Sequence, residues 1–229
     1  MFYPYYFDRT MILVLIGMVV VGFAQWRVNH AYKKNQQIQT HRGETGSQIA
    51  RRLLDQAGLQ SIPIEVVGGK MSDHYDPRKH VLRLSAEVAG RATVASVGIA
   101  AHEVGHAIQH ANGYAPLTVR DAIVPVVNVA SQLAIPLLFV GFLLERGGLV
   151  TAALILYASV VVFQLITLPV EFNASNRAKA LIAQSGGYTE EEQRGVSAVL
   201  SAAAMTYLAS TFMALLQFLR LFLLTRNRD

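Results

Sequence analysis

The stretch AAHEVGHAIQH, residues 100–110, decides how this chain folds. It places three histidines and one glutamate within an otherwise small and apolar run, and no proline occurs between Ala92 and Ala111. Because proline would break a helix and this run lacks one, the pattern predicts a long, buried α-helix. On such a helix His102 and His106 are four residues apart, so they lie one turn above the other on the same side.

Two imidazoles in this arrangement can bind one metal ion through their ring nitrogens. Glu103 is one step around the helix, close enough to act on a water at the metal without being a ligand. With Val104 and Gly105 these residues complete H-E-x-x-H, a signature of zinc-dependent proteases. The alternative is a buried helix whose histidines are satisfied by hydrogen bonds, but it leaves the Glu103 carboxylate in apolar surroundings at a high cost. We therefore predict a metal site.

The composition indicates a membrane protein. Hydrophobic residues make up 52% of the 229 residues and charged residues only 15%, against about a quarter in an average protein. The net charge of +5 does not indicate nucleic-acid binding, because the basic residues lie beside apolar intervals. The sequence contains no cysteine, which excludes disulfides, thiolate zinc sites and a cysteine nucleophile.

Four intervals without charged residues divide the sequence. They are bracketed by Arg9 and Arg27, Asp121 and Glu145, Arg146 and Glu171, and Arg194 and Arg220. The second and third intervals exceed the roughly 20 residues needed to cross the hydrocarbon core, and only two residues join them, so they predict a helical hairpin. The fourth is rich in alanine, serine and threonine, and could either span or pack against the other helices. We expect three to four transmembrane helices.

The first interval has two interpretations. A signal peptide would place a cleavage site at GFA, residues 22–24. However, the front, MFYPYYFDRT at residues 1–10, is aromatic and nearly uncharged, and the basic residues follow the interval at Arg27, Lys33 and Lys34. This distribution favours an uncleaved anchor, and the positive-inside rule then places the following chain in the cytoplasm.

Residues 27–120 predict a cytoplasmic, zincin-like catalytic region. TGSQIARRLLDQAG, residues 45–58, predicts a helix that ends at Gly58. IPIEVV, residues 62–67, and HVLRLS, residues 80–85, predict two short antiparallel strands separated by a turn. The second strand could offer an exposed edge to a peptide substrate.

A catalytic zinc ion takes three protein ligands and keeps one position open, so a third ligand is needed. Each helical turn rises about 5.4 Å, which places His110 too far along the axis and predicts a neighbouring or surface position for it. Glu171 is the better candidate, because the predicted hairpin returns it to the same face of the membrane as the His102 helix. The alternative is an interfacial carboxylate paired with Arg177 or Lys179.

The predicted organisation has five parts. An N-terminal membrane anchor over residues 1–26 precedes the catalytic region at 27–120, and a transmembrane hairpin follows at 121–170. A cytoplasmic helix at 171–195 carries the third metal ligand, and residues 196–229 form a C-terminal membrane helix and a short tail. The predicted fold class is a mainly α membrane protein, with an H-E-x-x-H helix, a small two-to-three-strand β element and three to four transmembrane helices.

Three stretches carry a resemblance to a known family: SDHYDPRKHVLRLS (72–85), AAHEVGHAIQHANGY (100–114) and PVEFNASNRAKALI (169–182). Together they resemble the YugP-type neutral zinc metallopeptidases of bacterial membranes, over nearly the whole chain. More distantly the chain is similar to the HtpX-like gluzincin proteases, whose third ligand lies in E-x-x-A-D. The corresponding run in this sequence is EFNAS, residues 171–175, and the resemblance implies Glu171 as the ligand. Ser175 stands where those proteases have aspartate, and Asn176 is the alternative residue for that role.

These observations predict a multi-pass zinc metalloendopeptidase of the bacterial inner membrane, with its active site facing the cytoplasm. One Zn²⁺ per chain would be bound by His102, His106 and Glu171, and Glu103 would act as general base on the activated water. A protein or peptide substrate and the lipid bilayer are the expected partners. The candidate oxyanion donors are His74, Tyr75, Asn176 and Arg177. Two other classes remain: a non-enzymatic membrane scaffold or chaperone with a structural zinc, and a metal transporter.

Overall fold

The structure is a computed structural model that describes residues 9–226. Its elements are, in chain order, α1 (Met11–Asn35), α2 (Gly46–Gln56), β1 (Ile64–Val67), β2 (His74–Asp76), β3 (Val81–Ser85), α3 (Ala86–Gly90), α4 (Val94–Ala111), α5 (Ala115–Leu143), α6 (Gly147–Gln184) and α7 (Glu190–Arg226). The predicted fold class is therefore confirmed. The aromatic front before Arg9 and the last three residues of the predicted tail lie outside the described residues.

Four helices in the described part of the chain are long and apolar enough to cross a bilayer, namely α1, α5, α6 and α7. Each contains most of one predicted charge-free interval, and each extends beyond it. Helix α6 continues unbroken past Glu171 to Gln184, so the third apolar interval and the predicted ligand-bearing run are one element. The chain is a membrane protein.

The described residues form two compact units. The first, here called the apolar unit, comprises residues 9–25, 119–168 and 206–226, with a small buried cluster that includes Leu138, Val150 and Leu221. The second, here called the site unit, comprises Trp26–Thr118 and Pro169–Met205. Its larger core combines the helices and the sheet, through buried side chains such as Ile49, Leu53, Leu82, Val97, Ile182 and Leu200. All the predicted catalytic and metal-binding residues belong to the site unit.

Helix α2 begins at a capping box. The Thr45 hydroxyl accepts a hydrogen bond from the Gln48 N–H at 3.3 Å, and the Gln48 side-chain oxygen accepts one from the Thr45 N–H at 2.9 Å. Two backbone N–H groups that the helix leaves without internal partners are satisfied in this way. The helix then buries Leu53 and Leu54 completely, and Gly58 follows it at φ +75°, which is the predicted left-handed stop.

Replacing Thr45 by alanine should lower the free energy of unfolding by about 1 kcal/mol, because the cap loses its side-chain acceptor. Thermal unfolding of the detergent-solubilised protein, followed by circular dichroism, measures this as a lower midpoint. The control is T45S, which keeps a hydroxyl in the same place and should unfold near the wild-type temperature. Equal midpoints for T45A and wild type would contradict the assigned cap.

The sheet differs from the prediction of two antiparallel strands. Its strand order is β1-β3-β2, with β1 and β3 parallel and β2 and β3 antiparallel. The reason lies in residues 68–79, which were predicted as one turn. They contain β2, so the chain reverses its direction once between β1 and β2 and again between β2 and β3. As a result β1 and β3 run in the same direction. The tight turn is confined to the β2–β3 connection, where the Asp76 carboxylate accepts the Arg78 and Lys79 N–H groups at 3.0 and 3.1 Å.

This topology also shows that the prediction of an exposed edge at the second predicted strand, now β3, was wrong. Strand β3 is central and is paired on both sides, so it has no free edge for a substrate. The edges of the sheet are β1 and β2. Of these, β2 contacts α4, and it brings the backbone of Tyr75 to the helix that carries the histidines.

Candidate metal centre

Helix α4 presents one partly open side, and all three of its histidines lie on that side. It begins after Thr93, whose hydroxyl accepts the Ser96 N–H at 3.2 Å. The small residues Ala100, Ala101 and Ala107 are completely buried, whereas His102, His106 and His110 are partly exposed. The helix therefore packs through its small residues and leaves the imidazoles facing accessible space.

Helix α6 crosses α4 at very short range at Gly105. A Cβ atom at this position would lie 2.7 Å from the Ala174 carbonyl oxygen and 3.3 Å from the Ala174 carbonyl carbon. Such a contact is possible only without a side chain, because the neighbouring atoms belong to backbone and cannot rotate away. Ala174 and Ala178 are fully buried on the facing side of α6. This close crossing brings Glu171, one turn before Ala174, beside the two histidines.

Replacing Gly105 by alanine should force α4 and α6 apart. We expect the free energy of unfolding to fall by about 1–3 kcal/mol, the usual cost of overpacking, and metal binding to weaken because Glu171 moves with α6. The matched control is G98A on the same helix, where the added Cβ would meet a Val196 methyl group at 3.4 Å, an ordinary contact. G98A should be neutral or stabilising by up to about 1 kcal/mol. Thermal unfolding and zinc titration of both variants measure the difference, and equal behaviour would contradict the assigned crossing.

Three side chains converge to form the candidate metal centre. The Nε2 atoms of His102 and His106 are 3.1 Å apart, and they lie 3.3 and 3.6 Å from the same oxygen, Oε2, of Glu171. Ligand atoms bound to one tetrahedral zinc ion at about 2.0–2.1 Å are roughly 3.3 Å from one another. The three observed separations match that spacing, and two imidazoles with one carboxylate are a donor set typical of catalytic zinc. The residues therefore fit a zinc ion.

Glu103 lies beside this cluster and is 8% exposed. Its Oε2 atom accepts a hydrogen bond from the backbone N–H of Tyr75 at 3.0 Å, which fixes the carboxylate between α4 and β2. Burial raises the pKa of Glu103 to about 7, with a further contribution from the negative charge of Glu171, while His102 and the Tyr75 N–H act in the opposite direction. A carboxylate with this pKa can accept and release a proton near neutral pH.

Each histidine of the cluster has a second polar neighbour at its other ring nitrogen. Ser175 Oγ lies 3.3 Å from His102 Nδ1, and Gln109 Oε1 lies 3.0 Å from His106 Nδ1. The sequence left Ser175 and Asn176 as candidates for the role of the aspartate in E-x-x-A-D. Ser175 contacts a histidine of the cluster, whereas Asn176 is exposed. Partners of this kind orient histidine ligands in metal sites.

The other predicted candidates lie around the cluster. Among the described residues the group that could hold a metal consists of His102, His106 and Glu171, without His110. The Nδ1 atom of His110 instead lies 3.0 Å from the Tyr75 hydroxyl. The two basic residues considered as partners of Glu171 donate elsewhere, Arg177 to Asn173 at 2.7 Å and Lys179 to Ser201 at 3.0 Å. His74 is exposed, and its Nδ1 lies 2.7 Å from the Ser72 carbonyl oxygen.

Two contacts of the site have little or no signal in the sequence. The Tyr75 N–H group belongs to the backbone, so the residue type at position 75 does not indicate its contact with Glu103. Gln109 was missed, although its position three residues after His106 puts it on the same side of α4. That spacing could have suggested it as a neighbour of the second histidine.

Taken together, the apolar helices and the histidine–carboxylate cluster define a membrane protein with a candidate zinc site of the peptidase type. The chain belongs to the family described as "Putative neutral zinc metallopeptidase", whose model matches residues 10–226. It is similar to "Putative membrane protease YugP" of Bacillus subtilis (strain 168), with 43% identity over 221 residues, which is 95% of this chain and 98% of that protein. No solved structure was found to match. These findings confirm the resemblance to the YugP-type family.

Proposed function

We propose that this protein is a zinc metalloendopeptidase embedded in the membrane, with His102, His106 and Glu171 as the ligands of one Zn²⁺ ion. The observation that carries the proposal is the convergence of three donor atoms at 3.1–3.6 Å from one another, beside a buried carboxylate. Membership in the zinc peptidase family supports the same metal and reaction class. The name of the Bacillus relative, a membrane protease, supports a protein or peptide as the substrate.

A zinc ion held by these three ligands would lower the pKa of a water molecule towards about 7 and polarise the scissile carbonyl. Glu103 takes the proton of the attacking water on its carboxylate and passes it to the departing amine. Burial raises the pKa of Glu103 above the ordinary value of a carboxyl group, which makes its carboxylate a stronger base. The Tyr75 N–H group holds the carboxylate in a fixed direction during this exchange, since its hydrogen bond to Oε2 comes from rigid backbone.

The cluster of basic residues after the apolar part of α1 supports the proposed orientation in the inner membrane of a bacterium, with the candidate metal centre facing the cytoplasm. Arg27, Lys33 and Lys34 all follow the first apolar interval, and basic residues mark the cytoplasmic side of membrane helices. In this arrangement α1 is an uncleaved anchor. The peptide substrate reaches the site from the cytoplasm.

The test combines metal analysis with a cleavage assay on the full-length protein in detergent micelles. We expect one zinc ion per chain, cleavage of an unfolded protein substrate, loss of cleavage on treatment with a chelator and its recovery on adding Zn²⁺. The variants H102A and H106A should lose both the metal and the cleavage. Stoichiometric zinc that depends on these ligands, without cleavage of soluble or membrane substrates, would instead support a scaffold or chaperone with a structural zinc.

A further inference from the structure

The polar side chain of Gln109 makes hydrogen-bond contacts to residues of two helices. The residue is completely buried. Its amide nitrogen Nε2 lies 2.8 Å from the Val170 carbonyl oxygen and 3.0 Å from Asn173 Oδ1, and its oxygen Oε1 lies 3.0 Å from His106 Nδ1. A buried amide is costly unless its polar atoms are paired. Here each polar atom has a partner, and the partners belong to two different helices.

The chemistry of these partners fixes the orientation of the amide. The Val170 carbonyl can only accept a hydrogen bond, so the atom that faces it must be the Gln109 NH₂ group. Asn173 Oδ1 also acts as an acceptor, because the Arg177 Nε–H, which can only donate, reaches the same atom at 2.7 Å. With both amide hydrogens directed at α6, the Gln109 oxygen must face His106, and it can only accept.

This orientation determines which nitrogen of His106 carries the proton. An acceptor at 3.0 Å from Nδ1 requires an Nδ1–H group, so in the neutral ring the lone pair lies on Nε2. Nε2 is the nitrogen that faces His102 and Glu171. The neighbour of His102 does not impose this choice, because the Ser175 hydroxyl can either donate or accept. Of these two neighbours, Gln109 alone selects a tautomer.

We propose that Gln109 is a positioning residue that holds His106 in the Nδ1–H tautomer and joins it to the turn of α6 that carries the third ligand. The inference rests on the proposed metal ligands. Val170 directly precedes Glu171, so the hydrogen bond from Gln109 to the Val170 carbonyl links the position of His106 to that of the carboxylate. One side chain thereby sets both the ring nitrogen that is available and the spacing of two ligands.

The test uses Q109M and Q109E in the full-length protein in detergent micelles. Methionine keeps the length of the side chain without the amide, and glutamate keeps an acceptor for His106 but loses both donors to α6. We expect the Kd for Zn²⁺, measured by competition with a chromophoric chelator, to rise about 10–100-fold in both variants. The visible absorption spectrum of the Co²⁺-substituted protein should change as well, because the ligand geometry changes.

The matched control is T93A. Thr93 is as completely buried as Gln109 and caps the same helix, but it does not touch the cluster. T93A should lower the unfolding temperature and leave both the zinc Kd and the Co²⁺ spectrum unchanged. A merely structural role for Gln109 predicts the same pattern for Q109M as for T93A, and that result would overturn the proposal.

A second measurement does not depend on the metal. The ¹⁵N shifts of the histidine rings in chelator-treated protein distinguish Nδ1–H from Nε2–H, and the signal of His106 is assigned by its absence in H106A. We expect Nδ1–H in the wild type and a mixture of tautomers in Q109M. If zinc does not bind to His102, His106 and Glu171, the proposed function fails, and the tautomer measurement still decides whether Gln109 holds the ring. A neutral His106 ring in the wild type that carries its proton on Nε2 overturns the inference in either case.

Discussion

The E103Q protein should bind one zinc ion with the affinity of the wild type and cleave its substrate about 10²–10⁴-fold more slowly, the usual contribution of a general acid–base group. Glutamine has the shape of glutamate, and its oxygen can still accept the Tyr75 N–H that Glu103 Oε2 accepts at 3.0 Å. It cannot take a proton from water near neutral pH. Burial of the neutral side chain costs less than burial of a charged one, so the folded state should be no less stable. Steady-state cleavage, zinc titration and thermal unfolding measure the three effects.

The control for this experiment is E191Q, in which an exposed carboxylate at the start of α7 is replaced in the same way. It should cleave at the wild-type rate. Cleavage by E103Q within a few-fold of wild type, with zinc present, would remove Glu103 from the proton transfer. Loss of zinc from E103Q would show instead that this carboxylate supports the ligands.

The second large effect is expected at Glu171. E171Q and E171A should weaken zinc binding on the order of 10²–10³-fold, because a zinc site worth about 10–16 kcal/mol loses one of about four ligands. A carboxamide in place of the carboxylate keeps the volume but removes the negative charge that attracts the metal. Competition with a chromophoric chelator measures the Kd, and cleavage at saturating Zn²⁺ shows how much activity returns when the site is refilled.

Substitutions of the two carboxylates should have different effects on zinc binding. E103Q should keep the metal and lose cleavage, whereas E171Q should lose both at low zinc. Equal zinc affinities for E171Q and the wild type would mean that the third ligand is a different group. The distances from the carboxylate to His102 and His106, 3.3 and 3.6 Å, would then describe only a neighbour of the metal centre.

Local spacing explains why part of the site could be predicted from the sequence. His102 and His106 need only a helix to face the same way, and a run without proline predicts that helix. Glu171 was reached by counting apolar intervals, because an even number of crossings returns the chain to one side of the membrane. The structure brings all three side chains together, although Glu171 lies 65 positions after His106 in the sequence.

The pairing of the strands could not be predicted in this way. Two β-rich segments separated by turn residues suggest a hairpin, but His74–Asp76 is too short for alternation to reveal a strand. Because this segment pairs with one edge of β3, strand β1 pairs with the other edge of β3 and runs parallel to it. The Gln109 contacts depend on residues 61 and 64 positions away, and a neutral amide gives no charge pattern that would point to them.

The contact between Gly105 and Ala174 has a consequence for how the sequence can vary in evolution. Main chain meets main chain there, so a compensating change in a neighbouring side chain cannot make room for a larger residue. Homologues that keep this helix crossing should therefore retain glycine as the second variable residue of H-E-x-x-H, while the first, Val104, can be exchanged for another aliphatic residue of similar volume. Glycine at that position would then identify distant homologues more selectively than the motif does by itself.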